Sequence, residues 1–182
     1  MKKNIEKATL AGGCFWCLEA IYKKVKGVKE VIPGYSGGQT KNPTYEQVCT
    51  DSTGHAEAIQ VTFEPEIISY GEILDIFWQI HNPTTLNRQG YDIGSQYRSA
   101  IFYHNEEQQK IAKKIKKDLQ DARIWPDPIV TEIIPLKEFY PAEEYHRDYL
   151  QNNPENNYCQ MVVIPKLAKF MKTFQDYLKK DN

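Results

Sequence analysis

The fold of this chain is decided by the stretch AGGCFWCLEA at residues 11–20. The residues before it, 6–10, predict a short strand, and the residues after it predict a helix with one apolar stripe. That stripe consists of Leu18, Ile21, Tyr22 and Val25. The two glycines lie where the strand has to turn sharply, so Cys14 and Cys17 open the helix.

The position of these two thiols is chemically distinctive. A thiol at the start of a helix lies at the positive end of the helix dipole, beside backbone N–H groups with no partner in the helix. This setting favours the thiolate, which is the nucleophilic form of cysteine. We therefore expect this stretch to carry the chemistry of the protein.

Composition and charge limit the classes of protein to which the chain can belong. Its 182 residues, 41% of them apolar and 26% charged, fit one globular domain with a core of its own. A net charge of −1 argues against an electrostatic surface for nucleic acids or membranes. We therefore expect neither kind of partner.

The compartment follows from the termini and the cysteines. The start of the chain, MKKN at residues 1–4, lacks the apolar core of a signal peptide, and no later run is long enough to span a bilayer. We expect a cytoplasmic location, where thiols stay reduced. The cysteines are then free, catalytic or metal-bound rather than structural disulfides. They are Cys14, Cys17, Cys49 and Cys159.

One strand is predicted to carry a buried acid. Ile59, Val61 and Phe63 alternate and share the core face of this strand, and Glu57 has the same parity. If the strand begins by Glu57, its carboxyl points to the apolar side, where desolvation raises its pKa. Such a carboxyl suits general acid catalysis near neutral pH. The alternative is a glutamate at the strand end that turns out to solvent.

Two loops rich in turn formers interrupt the chain. The first, residues 36–45, ends in Tyr45 beside a short helical turn, and is either a connector or a functional loop. The second, residues 84–95, contains Asp92 and leads to a predicted strand at 96–103 with Tyr97 at its mouth.

The remaining pattern predicts a sheet covered by helices. Helices are expected at 70–80, after Asn105, from 139 to 146 and at the C-terminus, and a further strand at 129–134. Cys159 follows a polar loop at 152–157, expected to be mobile, whereas Cys49 fits a small buried residue. Because strands and helices interleave, we expect an α/β or α+β sandwich.

Three kinds of chemistry fit the cysteines at the helix start. A single Cys-x-x-Cys is half of a zinc site, and Cys49 and His55 would have to complete it from elsewhere. A strand followed by Cys-x-x-Cys at a helix start also suits a thioredoxin-like dithiol. Phe15 and Trp16, which are bulky and apolar, suit instead a single nucleophilic thiol with an aromatic pocket and a buried acid.

Four motifs together resemble the peptide methionine sulfoxide reductases of type A. They are GCFW at residues 13–16, GHAE at 54–57, QYRS at 96–99 and YH at 145–146. The resemblance covers about residues 7–165, with the motifs in the order of the family. It implies an α+β fold: a two-layer sandwich with a ferredoxin-like core, in one catalytic domain over residues 1–182.

The resemblance also implies roles for individual residues. Cys14 is the nucleophile that attacks the sulfoxide sulfur, and Glu57 is the acid that protonates the sulfoxide oxygen. Phe15 and Trp16 hold the S-methyl group of the substrate. The other implied site residues are Tyr45 and Tyr97, which hydrogen-bond the oxygen, and Asp92 in the substrate-side loop.

The catalytic cycle implied by the family requires a second thiol. Cys14 would end as a sulfenic acid, which condenses with a nearby thiol to a disulfide. Cys159 matches the C-terminal resolving position of many relatives; Cys17 is the second candidate, and a relay through both stays open. No cofactor is implied. The substrate is methionine S-sulfoxide, free or in proteins, and an external dithiol, thioredoxin or dithiothreitol, restores the enzyme.

Overall fold

A six-stranded sheet forms the frame of the molecule, a computed structural model in which residues 4–180 are described. Residues 1–3 and 181–182 lie outside the described residues. The prediction that the chain starts without a signal peptide falls mostly on the first of these two stretches. The sheet strands are β1 (Glu6–Ala11), β2 (Val28–Ser36), β3 (Ala56–Phe63), β6 (Ala100–Tyr103), β7 (Glu132–Pro135) and β8 (Phe139–Pro141), and β4 (Arg88–Gln89) with β5 (Asp92–Ile93) forms a separate hairpin. The helices are α1 (Phe15–Tyr22), α2 (Tyr45–Cys49), α3 (Tyr70–Ile80), α4 (Glu106–Asp121), α5 (Tyr149–Asn152) and α6 (Ile164–Thr173).

The strands are arranged in the order β7-β6-β1-β3-β2-β8. The pairings are antiparallel except for the one between β6 and β7, so the sheet is mixed. In the centre, Leu10 of β1 pairs with Ile59 of β3, and Ile59 pairs with Pro33 of β2. With its helices this sheet makes an α+β fold, as the interleaved pattern predicts.

The two faces of the sheet bury different side chains. One face packs its large apolar residues against α1 and α3, and Ile59, Val61 and Phe63 are buried there as their alternation predicts. The other face is lined by small side chains of the central strands: Ala11, Ala56, Ala58 and Ala100, together with Phe102. Because Glu57 shares the parity of Ile59, its side chain lies on the face that carries α1.

Two predicted elements are shorter or of another type than expected. The strand predicted at 96–103 begins only at Ala100, because residues Ser95–Tyr97 form a 3₁₀ turn after Gly94, whose φ is +144°. Tyr97 therefore lies in this turn rather than in a strand. The strand predicted at 129–134 starts at Glu132, since the Val130 N–H bonds Pro83 O outside the sheet.

The C-terminal third shows further differences. The helix predicted from 139 to 146 is instead strand β8 followed by the turn Glu144–His146, because Tyr140 pairs with Tyr35 at the edge of the sheet. Cys159 lies in a helical turn directly after the predicted polar loop, since the Asn156 side chain accepts the N–H groups of residues 158 and 159 and starts the helix there. The expected buried Cys49 is exposed.

The C-terminal segment returns to the first helix. Beyond α6, Leu178 forms an isolated antiparallel bridge with Val25, and the Lys179 N–H donates to Lys24 O at 2.8 Å. None of the helices within residues 4–180 is long and apolar enough to cross a membrane.

Candidate active site

The start of α1 places the first cysteine at a sharp turn. Gly13 has a φ of +88°, and a Cβ there would lie 2.9 Å from Cγ of Gln89, so only glycine fits without strain. Cys14 follows in the extended conformation at the N-cap position, and its carbonyl accepts the Cys17 N–H at 3.2 Å. The thiol is thereby fixed at the N-terminus of the helix, as the sequence predicts.

A carboxyl from β3 occupies the same helix end. The Phe15 N–H donates to Oε2 of Glu57 at 3.0 Å, and Glu57 is 1% exposed. The expectation of an inward-facing acid is therefore confirmed. Burial raises the pKa of Glu57 well above its ordinary value, negative charge on Cys14 raises it further, and the Phe15 N–H opposes both. Glu57 therefore holds a proton in a range of pH where an exposed glutamate is ionised.

Three of the four cysteines pack together. Cys14, Cys17 and Cys159 are buried in one apolar cluster with Val163. Burial and the neighbouring Cys17 raise the pKa of Cys14 well above its ordinary value, and the polar groups of Trp16 and Tyr158 oppose this. Desolvation therefore acts against the preference for the thiolate that the helix start predicts.

Cys17 shows the opposite behaviour. Its pKa is lowered, chiefly by the hydrogen bond from the Cys14 thiol and against its own burial, with help from the positive charge of Lys166. The two thiols therefore share one interaction in which Cys14 is the donor and Cys17 the acceptor.

An aromatic wall lies next to Cys14. The Trp16 indole stacks on Tyr149 with ring centroids 3.7 Å apart and planes 3° apart, and its Nε1 donates to Nδ1 of His146 at 3.0 Å. Phe15 is fully buried, with its ring centroid 5.0 Å from that of His146. Because Trp16 is held on its face and on its edge, it presents a fixed flat surface.

His146 stands at the centre of this aromatic cluster. It is fully buried, and its ring centroid lies 4.5 Å from that of Tyr45. Burial lowers its pKa, so the ring is neutral, and acceptance at Nδ1 places its proton on Nε2. Nε2 has no hydrogen-bond partner among the described residues. The sequence drew attention to His146 as part of a motif, but gave no indication of its contact with Trp16.

Glu143 positions the loop that carries Tyr45. Its carboxylate accepts the Tyr45 N–H and the Tyr35 hydroxyl, both at 2.9 Å. Partial burial works to raise the pKa of Glu143, but these hydrogen bonds outweigh it and hold that pKa below its ordinary value. Neither Glu143 nor Tyr35 was predicted as a site residue, since a Glu within a short polar segment has no distinctive sequence pattern.

Two phenols lie near the buried acid. Burial and the nearby charge of Glu57, in that order, raise the pKa values of Tyr45 and Tyr97 above the ordinary value of tyrosine. Both hydroxyls therefore keep their protons and are available as hydrogen-bond donors. The structure thus brings these two tyrosines to the site that Cys14 and Glu57 define.

Asp92 is tied to a residue that the sequence did not single out for a role. The Tyr158 hydroxyl donates to Oδ2 of Asp92 at 2.5 Å, and Tyr158 packs against the cluster that contains Cys14. Asp92 therefore holds Tyr158 beside the nucleophile. The position of Tyr158 directly before Cys159 is the one sequence feature that could have indicated it.

The site as a whole combines a buried thiol, a carboxyl that retains its proton and two phenol donors. Such a set can attack an electrophilic atom while protonating the group bonded to it. Within residues 4–180, no group of three or more His, Cys, Asp or Glu could hold a metal ion, so the zinc alternative has no ligand set there. These features define a thiol-dependent redox enzyme.

Comparisons with known proteins identify the family. The family model for peptide methionine sulfoxide reductase matches residues 6–178. Peptide methionine sulfoxide reductase MsrA of Saccharolobus solfataricus is 59% identical over 175 residues, covering 96% of this chain and 98% of the relative. MsrA of Thermus thermophilus is 52% identical over 174 residues, covering 96% of this chain and 98% of that relative. The chain belongs to the peptide methionine sulfoxide reductase family and is an oxidoreductase.

Solved structures agree with this assignment. The reduced form of Mxr1 from Saccharomyces cerevisiae matches with a TM-score of 0.78 and 38% identity, over 87% of this chain and 91% of Mxr1. Methionine sulfoxide reductase A of Corynebacterium diphtheriae matches with a TM-score of 0.76 and 33% identity, over 86% of this chain and 78% of that structure. Mxr1 in complex with Trx2 also matches, with a TM-score of 0.56 and 30% identity, over 80% of this chain and 86% of that structure.

The burial of Glu57 predicts a specific pH dependence of stability. A carboxyl whose pKa is raised by folding stabilises the native state fully below its ordinary pKa, and this stabilisation is lost as pH rises through the native pKa. Glutamine keeps an acceptor for the Phe15 N–H and does not titrate. We expect the free energy of unfolding of wild type to fall, relative to Glu57→Gln, as pH rises from about 4.5.

Urea unfolding at several pH values between 4 and 8 measures this difference. Glu66→Gln, which removes a carboxylate from an exposed turn, controls for the change in net charge. A difference between wild type and Glu57→Gln that stays constant or grows in favour of wild type as pH rises would contradict the account.

Proposed function

We propose that this enzyme reduces methionine S-sulfoxide, free or within proteins, to methionine. The observation that carries the proposal is the shared helix end, where the Cys14 thiol and the protonated Glu57 carboxyl meet at the Phe15 N–H. The names of the relatives and the motifs of the sequence support the same substrate. Preference for the S epimer rests on the resemblance to the type A family.

In the first step, the Cys14 sulfur attacks the sulfoxide sulfur. Glu57 donates its proton to the sulfoxide oxygen, and the Tyr45 and Tyr97 hydroxyls hydrogen-bond that oxygen as charge develops on it. The oxygen then passes from the substrate sulfur to the Cys14 sulfur as the bond between the two sulfurs breaks. The substrate sulfur has gained two electrons and leaves as methionine, while the Cys14 sulfur has lost two and carries the oxygen as a sulfenic acid. The sulfenic oxygen carries the proton that Glu57 donated. The proton lost by the thiol replaces it on Glu57, so Glu57 ends protonated.

The aromatic residues orient the substrate in this proposal. Phe15 and Trp16 hold the S-methyl group, for which the flat indole face fixed by Tyr149 and His146 is suited. Asp92 orders the site from the opposite side through its hydrogen bond with the Tyr158 hydroxyl. The substrate is thereby directed with its sulfur towards Cys14.

A second thiol then resolves the sulfenic acid. Cys159 attacks the Cys14 sulfur, water leaves, and a disulfide between Cys14 and Cys159 forms. Packing of Cys159 in the same buried cluster as Cys14 supports this assignment. Cys17 is the second candidate, since its lowered pKa favours the attacking thiolate.

No cofactor takes part in the proposed cycle. Thioredoxin, or dithiothreitol in vitro, reduces the disulfide. The solved complex of Mxr1 with Trx2 supports thioredoxin as the reductant.

The fold and compartment complete the proposal. The order β6-β1-β3-β2 with helices α1 and α3 as crossovers supports a ferredoxin-like core in a two-layer sandwich. We assign the chain to one catalytic domain, with a core at about 7–150 and a C-terminal segment at 151–182 that carries Cys159. Four free thiols and a dithiol reductant suit the cytoplasm.

Resolution of epimers tests the proposed reaction. Incubated with racemic N-acetylmethionine sulfoxide and dithiothreitol, the protein is expected to consume the S epimer and leave the R epimer, as measured by chiral chromatography. Cys14→Ser is expected to abolish turnover, and Glu57→Gln to lower kcat/KM by roughly 10²- to 10⁴-fold through loss of the acid. Unchanged substrate, or equal loss of both epimers, would refute the proposal.

The choice of resolving thiol is tested separately. In Cys159→Ser, a single stoichiometric turnover is expected to survive while steady turnover with thioredoxin falls, because the sulfenic acid forms but no disulfide with residue 159 follows. Cys49→Ser, which removes the exposed thiol, is the matched control and is expected to retain steady turnover. Full thioredoxin-dependent turnover in Cys159→Ser would transfer the role to Cys17.

A further inference from the structure

A groove with a volume of about 750 Å³ opens beside the candidate active site. We call it the Tyr158 groove; its walls come from the end of α3, the β4–β5 hairpin and the C-terminal helix. Residues that characterise it are Ile80, Tyr91, Asp92, Tyr158, Met161 and Lys169. Its volume lies within the range of ligand-binding clefts. The proposed reaction on small sulfoxides does not require it.

The Tyr158 groove adjoins the reacting centre through a shared residue. Tyr158 lines the groove, packs against the cluster that contains Cys14, and lies with its ring centroid 5.8 Å from that of Trp16. Its hydroxyl donates to Asp92, which also lines the groove. The residues beside a methionine that reaches Cys14 would then lie against the groove.

The charges along the groove favour one kind of sequence. Lys166 and Lys169 both line it, and neither ammonium forms a hydrogen bond or ion pair with any residue between 4 and 180. The one carboxylate in its lining, Asp92, already accepts the Tyr158 hydroxyl. Burial lowers the pKa of the groove histidine, His81, to about 4, so this ring is neutral. The groove is therefore net positive.

Apolar side chains extend the same surface. Met161 is 78% exposed in the lining of the groove, and Tyr91, at the tip of the hairpin, is fully exposed. Large apolar side chains left in solvent beside a cleft are typical of surfaces that contact another chain. A polypeptide segment can contact them with its own side chains while its acidic residues face the lysines.

We propose that the Tyr158 groove binds the polypeptide on either side of an oxidised methionine, and that it selects substrates in which acidic residues flank that methionine. The inference rests on the proposed function and adds to it a class of preferred protein substrate. The proposed occupant of the groove is the substrate chain. Docking of thioredoxin at this surface is the competing interpretation, and reduction of charged peptides distinguishes the two.

Two peptides of equal length provide the test. Each carries one methionine S-sulfoxide with two residues on either side, all glutamate in one peptide and all lysine in the other. With dithiothreitol as reductant at low ionic strength, wild type is expected to show a kcat/KM roughly fivefold or more higher for the glutamate peptide. This difference is expected to shrink in 0.5 M salt, because screening weakens exposed charge interactions.

Variants locate the preference in the groove. Lys169→Glu is expected to remove or invert it through KM, with N-acetylmethionine sulfoxide reduced as by wild type. Lys166 is left unchanged because its charge also acts on Cys17. Lys172→Glu makes the same charge reversal on α6 at a residue outside the groove lining, and is expected to keep the preference.

The outcomes are distinct. Equal kcat/KM for the two peptides in wild type, or equal effects of Lys169→Glu and Lys172→Glu, would overturn the inference. A raised KM for thioredoxin in Lys169→Glu with unchanged discrimination between the peptides would overturn it in favour of reductant docking. Failure to reduce N-acetylmethionine sulfoxide would refute the proposed function itself, a result that the groove variants do not produce.

Discussion

The hydrogen bond from the Phe15 N–H to the Glu57 carboxyl is the interaction on which the site depends. It joins the first turn of α1 to strand β3, which are 42 residues apart in sequence. The strand order makes this possible, because β1 and β3 are neighbours and α1 packs on the face to which Glu57 points. The fold thereby brings a nucleophile and an acid to one helix end.

That helix end acts on two acids at once. Unpaired backbone N–H groups favour negative charge, yet both the thiol and the carboxyl are removed from water, and burial dominates their pKa values. Negative charge on Cys14 also raises the pKa of Glu57 by Coulomb repulsion. A resting site that keeps both protons has one available for the oxygen of the substrate.

A second layer of contacts holds the reacting groups in place. Glu143 fixes the start of α2 and with it Tyr45, while His146 and Tyr149 fix the Trp16 ring on its edge and its face. Rigid support of this kind keeps catalytic side chains in the geometry that the reaction needs. Residues 143–149 contribute much of it. The C-terminal segment beyond them returns at Leu178 to pair with Val25 near the end of the first helix.

Much of this arrangement could be predicted from local patterns, and the rest could not. Parity along one strand predicts the inward Glu57, and two glycines before a helix predict the placed thiol, since both are properties of adjacent residues. The effect of burial on the pKa of Cys14 could not be predicted, because desolvation depends on packing by distant segments. Tyr158, Glu143 and Tyr35 were missed for the same reason: their partners lie 66 to 108 residues away. The short strands and turns after Asp92 depend on sheet-edge pairing rather than on periodicity.

The most direct test of this account is a pH titration of Glu57 itself, followed by the ¹³C chemical shift of its side-chain carboxyl. We predict a midpoint well above 4.5, because burial raises the pKa of this carboxyl. A midpoint at or below 4.5 would contradict the placement of a protonated acid beside the nucleophile at the helix end.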